Sequence, residues 1–185
     1  MDFLKELEKR GAILKGHFLL TSGLHSNIYF EKFRILDDPS ILVPLMEHLL
    51  SGVSHVDWVI GPVLGGAIMA IEGARILRAK AGYAESVGGK VVLRRGFGIS
   101  KGDRILVVDD VLTTGSSIKA TLASLQGHNV IGVYVIIDRS ENDTGINLPL
   151  KSLIKIPVRN FTPEECPMCR AGIPLERRGG LKKTI

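Results

Sequence analysis

Cysteine is scarce in this chain: two residues in 185, both in Cys166-Pro167-Met168-Cys169. One such pair is half of a four-ligand zinc site, and no histidine lies near it in sequence to complete the set. A reduced structural pair is the first expectation, ahead of a redox pair, a local disulfide, or two chains pooling their pairs around one metal. Aromatic residues make up only 5% against 45% hydrophobic residues overall, a balance that fits a soluble α/β protein able to bury a sizeable core. No apolar run is long enough to cross a bilayer, and Met1-Asp2-Phe3-Leu4-Lys5-Glu6 reads as an amphipathic charged start, not a signal peptide, so no membrane partner and a cytoplasmic location are expected. A basic stripe interleaved with aromatics is also missing. Of the net charge of +5, residues 166–185 hold +4 (five Lys and Arg against Glu176), leaving +1 for the rest, so the basicity belongs to the tail and nucleic acid is not an expected partner.

The most informative stretch is Ile105-Leu106-Val107-Val108-Asp109-Asp110-Val111-Leu112-Thr113-Thr114-Gly115-Ser116-Ser117. Four apolar residues suit a buried parallel strand, and the carboxyl ends of such strands are where open α/β sheets bind ligands. The hydroxyl-rich turn leads into a helix marked by Ile118, Leu122 and Leu125, with Gly127 as its stop. Free amides, hydroxyls and the positive end of the helix dipole suit a phosphate monoester. Asp109 and Asp110 would repel that phosphate; they are suited to accept hydrogen bonds from vicinal sugar hydroxyls or to act through a divalent cation. A strand end with an ordinary helix cap is the plainer alternative.

Elsewhere the pattern predicts a helix over 1–16, interrupted at Gly11, then an irregular, turn-rich stretch from His17 to Phe30. A second helix is expected over 39–50, with strands at Val56–Ile60, Gly82–Glu85, Arg104–Val108 and Val130–Ile137, a helix from about Ala67 to Ala79, and an edge strand at Leu153–Ile156. Alternating strands and helices imply a parallel, doubly wound sheet. Gly61-Pro62-Val63-Leu64-Gly65-Gly66 joins a buried strand to a helix on the same sheet edge as Asp109. It matches neither a Walker A loop nor a dinucleotide fingerprint. Alone it would pass for a structural turn.

The Asp109 stretch resembles the phosphoribosyl diphosphate (PRPP) binding motif of the type I phosphoribosyltransferases. The resemblance implies an α/β fold with a central parallel sheet flanked by helices and a small N-terminal hood: one domain over 1–185, with a core of about 40–158 and a hood of about 1–35 joined by a tail of about 160–185. It implies that Asp109 and Asp110 bind the ribose hydroxyls and that Val111, Leu112, Thr113, Thr114, Gly115, Ser116 and Ser117 hold the 5′-phosphate. Leu64 and Gly65 would offer amides to the diphosphate, with a cis peptide suspected at Val63-Leu64.

Gly16 to Phe30, with Thr21-Ser22-Gly23, resembles the hood of the orotate phosphoribosyltransferases, which implies that Tyr29 and Phe30 cover the pyrimidine ring; such aromatics are otherwise more often core. Arg139, after Asp138, corresponds to an arginine that binds the orotate carboxylate, alongside Thr113. An ion pair with Asp138, Glu141 or Asp143 is its alternative. The family's mobile lid, donated by the neighbouring subunit of a homodimer, falls on residues 84–97, where Gly88-Gly89 offers flexibility and Lys90, Arg94 and Arg95 are the cations. Lys90 would join Asp109 and Asp110 in catalysis. This lid is shorter and less basic than in many members, and Thr21 stands where many have lysine. Mg²⁺ is expected to arrive on the PRPP diphosphate, with no certain protein ligand. The expected reaction is transfer of phosphoribosyl from PRPP to orotate. The rivals are a purine phosphoribosyltransferase, which needs neither hood nor Arg139, and a non-enzymatic regulator, which needs a basic face the core lacks.

Overall fold

The computed structural model describes residues 2–93 and 96–178. In chain order the elements are α1 (Phe3–Lys9), β1 (Ile13–Leu19), β2 (His25–Phe30), α2 (Phe33–Leu36), α3 (Pro39–Leu49), β3 (Trp58–Pro62), α4 (Gly65–Leu77), β4 (Lys80–Val87), β5 (Lys90–Leu93), β6 (Arg104–Leu112), α5 (Ser116–Ser124), β7 (Asn129–Asp138), β8 (Leu150–Lys155), β9 (Asn160–Phe161), α6 (Pro167–Arg170) and β10 (Glu176–Arg177). They fall into two compact units, residues 32–156 and residues 1–31 with 157–185.

The larger unit is a six-stranded sheet in the order β5-β4-β3-β6-β7-β8, parallel except for β5. Its central strands β3, β6 and β7 carry long apolar runs because helices cover the sheet. Ile60, Ile105, Val107, Val133 and Val135 are fully buried and pack with Ile118 and Leu125 from the α5 region. Helix α3 begins as its sequence suggests: Asp38 accepts a hydrogen bond from the Ser40 amide at 2.9 Å, and Pro39 occupies the first turn. Leu42, Leu45, Met46 and Leu49 form its buried face.

The smaller unit is a four-stranded sheet in the order β10-β1-β2-β9. Here the structure corrects the sequence reading twice. The first helix ends at Lys9, because Gly11 turns the chain at φ +69° and Ile13 already begins a strand. His17 to Phe30 is not irregular: β1 and β2 form an antiparallel hairpin, pairing Ile13 with Phe30 and Leu19 with His25. The period-2 signal is hidden because the register shifts between Lys15 and Phe18, so burial along β1 does not alternate.

The lid segment differs too. Gly82–Glu85 belongs to a strand that runs from Lys80 to Val87, and Gly88 and Gly89, at φ +57° and +80°, form a tight turn into β5 with Val87 opposite Lys90. Two consecutive positive-φ glycines make a hairpin connection, so this stretch is a β-ribbon and not a slack loop. Arg94 and Arg95 lie outside the described residues.

Candidate active site

The expected strand Arg104–Val108 continues to Leu112, so both acids lie within β6. Successive strand residues face opposite sides of a sheet, and the two carboxylates accordingly have different neighbours. Asp109 lines a cavity of about 170 Å³ together with the run from Val111 to Ile118. Asp110 faces Gly65 and Lys32: a Cβ on Gly65 would overlap the Asp110 carboxylate, and Lys32 Nζ lies 3.2 Å from Asp110 Oδ2. Gly65 is therefore glycine for lack of space. Gly61 and Gly66 are constrained in the same way, Gly61 by the backbone of Gly66 and Gly66 by the Pro62 ring and the Val108 carbonyl, so the turn between β3 and α4 is tightly folded.

Both carboxylates are buried, 7% and 5% exposed. Each receives a backbone amide, Asp110 N–H to Asp109 Oδ1 at 2.9 Å and Val111 N–H to Asp110 Oδ1 at 2.7 Å. Burial, and secondarily the charge of Asp110, push the Asp109 carboxyl up to about 7, against weaker opposing pulls from the Asp110 amide and Lys32. Asp109 thus exchanges a proton near neutral pH.

The rest of the cavity is a cradle lined by the hydroxyls of Thr113, Thr114, Ser116 and Ser117. Gly115, at φ +73°, sits at the start of α5, where a left-handed residue is needed to bring the chain from strand to helix. Thr114 Oγ1–H donates to Ser116 Oγ at 3.0 Å, which keeps the hydroxyls together at the helix N-terminus. The hydroxyls, the first-turn amides and the helix dipole make this cradle favourable for an oxyanion.

The remaining expected residues are distributed as follows. Leu112 pairs with Asp138 across β6 and β7, and the Arg139 amide donates to the Leu112 carbonyl at 2.9 Å, so Arg139 lies beside the entrance to the Thr113 turn. Arg139 is buried, which lowers its pKa from the ordinary value. Asp138 is held by Ser140, whose amide and hydroxyl both donate to Oδ1, and by Lys155 at 3.5 Å. Leu64 is 55% exposed at the start of α4, and the Val63-Leu64 peptide is cis. Lys90 opens β5 and is exposed. Tyr29 and Phe30 lie in the smaller unit, where Phe30 is buried and Tyr29 packs against Phe18 with ring centroids 5.6 Å apart. Sequence reasoning missed Lys32. A single lysine far from the motif carries no pattern, and only the fold brings it to Asp110.

Residues 47–166 match the family model for the phosphoribosyl transferase domain. An orotate phosphoribosyltransferase of Thermoanaerobacter sp. (strain X514) is 45% identical over 186 residues, covering 98% of this chain and 97% of that protein. The chain belongs to the orotate phosphoribosyltransferase family. The crystal structure of the orotate phosphoribosyltransferase from Aeropyrum pernix superposes with a TM-score of 0.65 at 32% identity, over 82% of this chain and 92% of that one. An adenine phosphoribosyltransferase from Rhodothermus marinus reaches 0.64 at only 22% identity, over 83% and 98%. That second likeness is one of fold alone.

The raised pKa of Asp109 makes a stability prediction. The folded-state value lies above the ordinary 3.8, so the folded protein binds the extra proton between those limits. Ionising Asp109 opposes folding, and stability should therefore fall as pH rises toward 7 and level off above it. The effect is up to about 4 kcal/mol. Denaturant unfolding at pH 5 and pH 8 checks this: Asp109→Asn should be less pH-sensitive than the parent, and an identical pH dependence would reject it.

Proposed function

We infer that this chain transfers the 5-phosphoribosyl group of PRPP to orotate, giving orotidine 5′-phosphate and diphosphate in pyrimidine nucleotide synthesis. The carrying observation is a buried carboxylate, Asp109, opening directly into the Thr113–Ser117 oxyanion cradle on the sheet edge that also carries Arg139. In this reading the cradle holds the 5′-phosphate and the Asp109 and Asp110 carboxylates accept from the ribose hydroxyls. Lys32 and the Val111 amide hold Asp110 in place. The amides at the start of α4 face the diphosphate, and Arg139, with Thr113, takes the orotate carboxylate. The bond between the anomeric carbon and diphosphate breaks as the orotate ring nitrogen bonds to that carbon. Positive charge develops on the sugar as in glycosidic chemistry. Alignment and stabilisation of the leaving diphosphate then supply most of the rate.

Mg²⁺ enters this reading as part of the substrate complex, where it neutralises diphosphate charge. The donor set suits that role. The Asp109 and Asp110 carboxylates each accept a backbone amide and, in this reading, are kept for the ribose hydroxyls. PRPP is a polyanion that does not cross a bilayer unaided, and we place the reaction in the cytoplasm, where such a substrate is retained.

We also propose a homodimer with shared sites. An exposed apolar strip on α4 and the turn before it, with Leu64 and Ile71 55% and 68% exposed, supports an isologous interface beside the β4–β5 ribbon that carries Lys90.

The decisive assay is consumption of orotate with PRPP and Mg²⁺, compared with adenine and hypoxanthine. Orotate alone should be converted, and Arg139→Ala should weaken orotate binding by calorimetry on the order of 2 kcal/mol with PRPP binding little changed. Turnover of a purine instead, or unchanged orotate affinity in the variant, would overturn the assignment. For the dimer, an inactive Asp109→Asn/Asp110→Asn protein mixed with an inactive Lys90→Ala/Arg94→Ala/Arg95→Ala protein should regain part of the activity. An active monomer, or hybrids that stay inactive while both parents dimerise, would show that the lid acts within its own chain.

A further inference from the structure

The smaller unit brings together four side chains that the reaction does not use. His17 lies on β1, His25 opens β2, and Cys166 and Cys169 flank the start and body of α6. Their ligand atoms all lie within 4.8 Å of one another. His17 Nε2 is 3.4 Å from Cys166 Sγ, 3.7 Å from Cys169 Sγ and 2.9 Å from His25 Nδ1, and Cys169 Sγ is 3.3 Å from His25 Nδ1. A tetrahedral zinc ion, with bonds of about 2.3 Å to sulfur and about 2.0–2.1 Å to nitrogen, sets sulfur and nitrogen ligands about 3.6 Å apart. The sulfur–nitrogen separations bracket that value. The two nitrogens, at hydrogen-bond distance, need to part by only a few tenths of an ångström.

We propose that His17, His25, Cys166 and Cys169 form a Cys₂His₂ structural zinc site within one chain. The sequence reading put a reduced structural pair first and offered a metal only by pooling two chains; the proposal departs from both, because the sequence places no histidine near the cysteines but the β1–β2 hairpin supplies two.

Three features support the site independently. First, the His17 Nδ1–H donates to the Ile173 carbonyl at 2.8 Å. A carbonyl can only accept, so the proton is fixed on Nδ1 and Nε2 is left as the lone pair facing the sulfurs, the outer support that metal-bound histidines characteristically have. Second, His17, His25 and Cys166 are buried, at 2%, 4% and 0% exposure, while Cys169 is exposed and leaves an entry path. Two histidines buried side by side are rarely kept for packing. Third, two thiolates and two neutral imidazoles leave Zn²⁺ with no net charge, a composition that tolerates burial; binding releases the two thiol protons to solvent.

The ion would tie the hairpin to the segment after residue 157, two parts of one small unit far apart in sequence. Its two histidines also bracket the turn Leu20–Leu24, which is closed by the Leu20 amide donating to the Leu24 carbonyl at 2.8 Å. Zinc would therefore fix both ends of the turn holding Thr21-Ser22-Gly23.

The test is metal content, which does not depend on the reaction assigned above. Protein produced in zinc-supplemented medium and purified without chelator should hold about one zinc per chain, and X-ray absorption should show two sulfur and two nitrogen neighbours. Cys169→Ser and His25→Gln should lower zinc occupancy at least about tenfold. Cys169→His, which restores a ligand, should retain it even if the other variants fold poorly. Wild-type protein with almost no zinc and freely titrating or disulfide-linked thiols would overturn the proposal, as would zinc bound by oxygen and nitrogen alone.

Discussion

Burying two adjacent carboxylates at the end of a central strand is the constraint around which the larger unit is organised. A charge removed from water must be compensated or lost. Asp110 is compensated by Lys32, by the Val111 amide and by a glycine that leaves room for its carboxylate. Asp109 has one amide and retains a proton up to near neutrality. The asymmetry follows from the pleat, which sends one acid toward the helix-capped turn and the other into the cavity. It makes Asp109 the group whose charge a ligand can change, while Asp110 is held by Lys32 and the Val111 amide. The tight glycine turn at β3 and the left-handed Gly115 both leave backbone accessible at the ends of the sheet strands, which in the proposed reading is where a polyanion is bound.

The parts of this arrangement legible in the sequence are those built from neighbours in the chain. The apolar run before Asp109, the hydroxyls after it and the helix spacing from Ile118 are local, and β6, the cradle and α5 followed from them. The parallel strands β3 and β7 were equally plain as unbroken apolar runs. The hood was not, because a register shift in β1 erased the alternation that marks a strand. Gly88-Gly89 suggested mobility, yet two glycines in the left-handed region are also what a tight hairpin requires, and antiparallel pairing decided between the two. Lys32 and the His17–His25 pair were invisible for a shared reason: each gains its meaning from a partner far along the chain, and a lone lysine or histidine has no local pattern.

The two units also differ in what stabilises them. The larger has a continuous apolar core between sheet and helices. The smaller has a four-stranded sheet whose outer members β9 and β10 are two residues each. A sheet with such short edges gains little from its own pairing, and small units of this kind commonly rely on a cross-link or metal. A side-chain cluster joining hairpin and C-terminal segment is a physical answer to that shortage.

Whether the end of β6 holds a phosphorylated ribose is decided by a crystal structure of the chain with orotidine 5′-phosphate. The phosphate should lie among Thr113, Thr114, Gly115, Ser116 and Ser117, the ribose hydroxyls within about 3 Å of the Asp109 and Asp110 carboxylates, and the orotate carboxylate on Arg139. A nucleotide bound with its phosphate outside that cradle, or with its ribose hydroxyls turned to solvent, would contradict it.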